Sequence, residues 1–61
     1  MKQSGQSDLI EIAGDLRRET DKAFLIFDGD KEVWLPKSQV EDNGDGTFTL
    51  PEWLAMDKGL I

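Results

Sequence analysis

Apolar and polar positions alternate in short runs along this chain. Leu9, Ile10 and Ile12 form the first apolar stretch, and Gly14-Asp15 interrupts it, which predicts a bend or a bulge. Leu16–Thr20 then either continues the strand or adds a turn of helix. Leu9, Ile12, Ala13 and Leu16 also have helical spacing, but Gly14 inside such a helix would cost about 1 kcal/mol against Ala, so strand is preferred. Lys22–Phe27 is the clearest strand. Its Ala23, Leu25 and Phe27 point one way, Phe24 and Ile26 the other. With both faces apolar, it must sit centrally and be covered on both sides, or curve into a barrel wall. Asp28-Gly29-Asp30 is a turn, and Glu32–Leu35 is the return strand, stopped by Pro36.

Lys37-Ser38-Gln39 makes a tight turn or a single helical turn, and Val40–Leu50 reads as a second hairpin around Asn43-Gly44 and Asp45-Gly46. Pro51–Lys58 is predicted to be a short helix, with Thr49 as N-cap, Glu52 completing a capping box and Gly59 closing the C-terminal end. Trp53, Met56 and Leu60 form its apolar stripe, which Leu54 widens. Leu60 and Ile61 are expected to pack back on the domain or at a subunit contact. The pattern predicts a mostly-β chain: a small SH3-like or OB-like partly open barrel of four to five short strands, with a short C-terminal helix over one end. Residues 8–61 form the single domain, and residues 1–7 are expected to be a disordered tail.

Composition narrows the classes. A chain of 61 residues buries only about 60% of the surface it exposes when unfolded, so its stability is marginal and self-association would help. Neither Cys nor His occurs, which excludes disulfide staples, Cys/His zinc sites, thiol chemistry and imidazole catalysis. A cystine-free chain of this size suits a reducing cytoplasm. The longest apolar run, Ala23–Phe27, is far too short to cross a bilayer, and the polar start has no signal-peptide character. The formal net charge is -6, with Lys and Arg scattered apart from Arg17-Arg18. Nucleic-acid binding is therefore disfavoured, and the acidic surplus suits solubility or a basic protein partner.

Candidate chemistry is sparse. Glu41, Asn43, Asp45, Gly46, Thr47, Thr49 and Glu52 fall at the ligand offsets of an EF-hand loop. Glu at the first offset, and Leu35-Pro36-Lys37-Ser38 where an entering helix should run, instead favour a glycine-rich hairpin. Asp28, Asp30 and Glu32 read as solvated turn carboxylates. Ser4, Ser7 and Ser38 have no histidine to activate them, and no stretch forms a phosphate cradle. No catalytic residue, metal or cofactor is implied, and an enzyme is not expected. Trp34 and Trp53 are expected to be at least half buried, as core filling or as interface anchors. The candidate interface is Trp34, Trp53, Leu60 and Ile61.

Val33-Trp34-Leu35-Pro36-Lys37-Ser38-Gln39-Val40, Pro51-Glu52-Trp53-Leu54-Ala55 and Lys58-Gly59-Leu60-Ile61 resemble short, uncharacterised proteins encoded by bacteriophages and prophages. The resemblance covers residues 22–61 and carries no functional residue. It implies a phage origin and action in the bacterial cytoplasm. The expected function is a non-enzymatic protein-binding module, a phage accessory factor modulating a host protein, or a self-associating chain. One alternative is a single-stranded nucleic-acid binder, with Phe24, Phe27 and Trp34 stacking on bases and Arg17, Arg18, Lys22 and Lys37 meeting phosphates. Another is an acidic nucleic-acid mimic.

Overall fold

Gly14 turns the first apolar stretch into two strands that serve different sheets. A computed structural model describes residues 8–61, in which β1 (Leu9–Ala13) and β2 (Asp15–Glu19) flank this glycine. They are followed by β3 (Ala23–Phe27), β4 (Glu32–Pro36), β5 (Glu41–Asp42), β6 (Thr47–Pro51) and α1 (Glu52–Asp57). One sheet has the order β1-β6-β5 and the other β2-β3-β4, all pairs antiparallel. The chain is mostly β with one short C-terminal helix, as the pattern predicts. The strands number six because the first is divided, and the sheets stay open instead of closing into a barrel. The expected tail at residues 1–7 lies outside the described residues.

The corner at Gly14 is held by its N–H, which donates to the Gly46 carbonyl at 3.0 Å. A Cβ there would sit 2.5 Å from Cγ2 of Ile26, so the close approach of two sheets at this point demands glycine. Just beyond the corner, the β2–β3 register slips between Leu16 and Arg18, leaving Arg17 as a bulge.

The core lies between the two sheets. Phe48 and Leu50 of β6 and the half-buried Ile10 and Ile12 of β1 meet Phe24, Ile26 and Leu35 of the second sheet. Val40 from the connecting turn and Leu54 and Ala55 from α1 complete it. The Phe24 and Phe48 rings lie 5.9 Å apart at 55°, a tilted contact between the sheets.

Both prolines occupy strand positions where a missing N–H is harmless. Bonds from Asp28 to Lys31 and from Lys37 to Lys22 set the alternation along β3–β4, so position 36 points its backbone away from β3. By the same alternation, Pro51 points toward the side of β6 where β5 has already ended.

The helix departs from the predicted start. Pro51 is its N-cap and has no side-chain acceptor for the free helix N–H groups, and Thr49 lies inside β6. The Thr49 hydroxyl is taken by Asn43, and the Glu52 N–H is taken by the Asp8 carbonyl at 2.8 Å. A threonine fixed in a ladder position cannot turn to cap, so the capping box does not form. The predicted glycine end is present. Gly59, at φ 74, donates to the Met56 carbonyl and Leu60 donates to that of Ala55, the paired bonds of a Schellman closure.

Candidate interaction surface

Strand β3 is apolar on both faces, and only one of them meets the core. Phe24 and Ile26 point inward, while Ala23, Leu25 and Phe27 lie on the outer face of the second sheet. The pattern predicts a central strand covered on both sides or curved into a barrel wall; β3 is central, between β2 and β4, but its sheet stays open. Among the described residues no element packs over its outer face. Leu25 is nevertheless buried at 9% exposure without belonging to the core cluster. It pairs across the ladders with Arg18 on one side and Trp34 on the other, and these side chains shield it.

Trp34 is positioned by this arrangement. Its neighbours Val33 and Leu35 face the core, so strand alternation turns the indole outward, where it is 45% exposed. Beside it on the same face, the Arg17 guanidinium lies 4.7 Å from the Phe27 ring centre. The Arg17 bulge aims that side chain across the strand onto the aromatic ring. Arg17, Arg18, Leu25, Phe27 and Trp34 therefore form an apolar strip that carries two cations, with the acidic Asp15 and Glu32 paired opposite Phe27 at one end. Of the strip, Trp34 is the one expected in a protein interface, while Arg17, Arg18 and Phe27 enter only the nucleic-acid alternative. The two-faced apolarity of β3 was the signal for Leu25 and Phe27.

The other three candidates are dispersed. Trp53 is 52% exposed and Met56 is 62% exposed, because α1 buries Leu54 and Ala55 instead of the predicted Trp53–Met56 stripe. Neither tryptophan fills the core; Phe24, Phe48 and the aliphatic residues do so. Leu60 is half buried against the core, and Ile61 is exposed. Trp34 belongs to the outer face of the second sheet, whereas Trp53 belongs to a helix that follows directly from β6 of the first.

The aromatic trio invoked for stacking on bases is divided. Phe24 packs inward on Phe48, while Phe27 and Trp34 lie outward. Lys37 sits 5.2 Å from the Phe24 ring centre and is ion-paired with Glu19. The cations are thus split as well, with Arg17 on the outer face and Lys37 beside an inward ring.

The stretch with EF-hand offsets is a hairpin whose side chains bind one another. Asn43 Nδ2 donates to the hydroxyls of Thr47 and Thr49 at 3.1 and 3.0 Å. Asp45 accepts from both the hydroxyl and the N–H of Thr47, which lowers its carboxyl pKa below the ordinary value. Asp42 caps the Gly44 N–H at 2.9 Å. Glu41 lies on β5 opposite Thr49, and among the described residues no three acidic side chains converge. In the other acidic turn, Asp28 accepts from the N–H groups of Lys31 and Asp30, both at 2.8 Å, and these bonds lower its pKa.

Shallow depressions mark the surface of the described residues. One is lined at the Gly14 corner by Phe27, Asp28 and Gly46, a second by Leu9, Lys37 and Val40. The second is also lined by Ser38, Glu41 and Thr49; there Lys37 is ion-paired with Glu19, and the Thr49 hydroxyl is held by Asn43. No family model, curated protein or solved structure matches this chain. Among the described residues, no helix is long and apolar enough to cross a membrane.

Proposed function

We propose that this chain is a non-enzymatic protein-binding module whose contact surface is the outer face of β3 and β4, centred on Trp34. The observation that carries this reading is the outward Trp34 indole, lying beside Leu25 and the Arg17–Phe27 pair while the core is complete without it. Tryptophan and arginine are the side chains most enriched among binding hot spots, and a rigid sheet presents them with little entropy left to lose. The absence of Cys and His from the sequence leaves little material for acid–base or nucleophilic catalysis. The resemblance of residues 22–61 to phage-encoded proteins directs the search to a bacterial host protein.

The test is affinity capture from bacterial lysate with the full chain, run beside Trp34→Ala and Trp53→Ala. One stoichiometric partner should be captured, its affinity falling by about 30-fold or more with Trp34→Ala, as for a hot spot worth about 2 kcal/mol. Trp53→Ala should leave capture within a few-fold. Capture that is indifferent to Trp34→Ala refutes the assignment of the surface.

A further inference from the structure

The alternation of backbone groups along β4 leaves a short and complete docking edge. Val33 and Leu35 pair opposite Ile26 and Phe24, at the positions that exchange hydrogen bonds with β3. Glu32 and Trp34 therefore point their N–H and C=O groups away from β3. Among the described residues no strand lies beyond β4, and no backbone or side-chain group bonds to these two positions. Pro36, the next position in phase, has no N–H, and its carbonyl already accepts from Gln39 at 3.1 Å. The edge thus consists of two residues, each with one donor and one acceptor.

We propose that this edge pairs with the same edge of a second copy, antiparallel and centred on Val33. In that register Glu32 of each copy lies opposite Trp34 of the other. Both residues then exchange both bonds, and every outward group of the two edges is satisfied. The two Val33 side chains meet at the closer, non-bonded position, where their half-exposed surface becomes buried. No like charges oppose one another: Glu32 faces tryptophan and Lys31 faces Leu35. Centring on Trp34 instead would set Glu32 against Pro36, which cannot return a bond, and Lys31 against Lys37.

The remaining edges are less suited. β2 is broken by the Arg17 bulge and carries Asp15, Arg17, Arg18 and Glu19, the usual protection of an edge. β5 is two residues long and acidic. β1 would place Glu11 opposite Glu11 if paired about its centre, and it ends at the Gly14 corner. A paired β4 joins the two copies through one continuous sheet, β2-β3-β4 running into its symmetry mate. Because the pairing uses backbone groups, it is independent of whatever protein covers the Trp34 side chain.

So short a ladder gives weak association, read best by amide hydrogen exchange of the full chain across a concentration series, with mass from sedimentation. In dilute solution the Val33 and Leu35 amides should be protected and those of Glu32 and Trp34 should exchange freely. As mass doubles, Glu32 and Trp34 should become protected too, slowing about tenfold when nine chains in ten are paired. Glu32→Pro removes one edge donor without touching the β3 ladder and should hold the chain monomeric. Trp34→Ala keeps its N–H and should still pair, which separates this proposal from the binding face. A chain that stays monomeric to millimolar concentration overturns the proposal and leaves the edge to an extended segment of another protein. A dimer in which the Glu32 and Trp34 amides remain open overturns it as well.

Discussion

Replacing Gly14 by alanine probes the corner on which both sheets depend. The added methyl would lie 2.5 Å from Ile26 Cγ2, 3.4 Å from the Phe27 carbonyl oxygen and 3.9 Å from Phe48 Cδ1. Ile26 is fully buried, and its Cγ2 is fixed to a β-branched carbon in the middle of a strand, so it has little freedom to retreat. Overpacking of this kind costs about 1–3 kcal/mol. Gly14 is absent from the glycines with positive φ, so alanine also stiffens the unfolded chain and recovers about 0.4–1 kcal/mol. An approach of 2.5 Å to a buried, branched carbon puts the clash in the upper part of that range, about 2–3 kcal/mol, so the net loss is about 1–2.6 kcal/mol, or about 4–20 °C in melting temperature for a domain this small. Urea and thermal denaturation followed by circular dichroism measure it. Ile26→Leu removes the offending branch at nearly constant volume, so the double variant should lose less than the sum of the two single ones. If Gly14→Ala matches or exceeds the unaltered chain, or the pair is strictly additive, the close approach does not govern the corner.

Acid should weaken both acidic turns. Asp28 and Asp45 have folded pKa values below the ordinary 3.8, so their contribution is complete above that value and is lost as pH falls through the lowered ones. Urea midpoints should decline below about pH 4, and Asp28→Asn with Asp45→Asn, which keeps an acceptor in each turn, should flatten that decline; an unchanged slope would show that other carboxylates are responsible. At the C-terminus, deleting exposed Ile61 should shift stability by less than about 0.5 kcal/mol, whereas deleting Leu60 as well should cost about 1–2 kcal/mol through lost packing and the Schellman bond. Equal effects of the two deletions in denaturant melts would count against this division of roles.

The parts of the fold legible from residues alone were those governed by local chemistry. Asp28-Gly29-Asp30 and Asp42–Gly46 supply side-chain acceptors and positive-φ glycines, so both hairpins could be read directly. Gly59 behaves likewise at the helix end. The predicted break at Gly14-Asp15 was also correct, but its meaning was not visible. Glycine there reflects a contact with Ile26, twelve residues distant in the chain, and not a turn of its own. Thr49 failed as a cap for a related reason. Its spacing to Glu52 fits a capping box, yet the β1–β6 ladder and the Asn43 amide hold it first. Tertiary pairing overrides a local motif whenever both compete for one hydroxyl.

The interface reading separates along the same line. The large aromatics read either as core filling or as anchors, and exposure depends on which neighbour reaches the core first. In α1, Leu54 and Ala55 occupy the buried side, and Trp53 and Met56 are left outside although their spacing is helical. In β4, Val33 and Leu35 take the inward positions, which forces Trp34 outward. Among the described residues there is one core cluster and no element over the outer face of β3, so the apolar residues on that face have their own cross-strand neighbours as cover. Trp34 and Arg18 cover Leu25, and Arg17 covers Phe27. That cover leaves Trp34 45% exposed, and a partner laid across it would complete a layer that the described residues leave open.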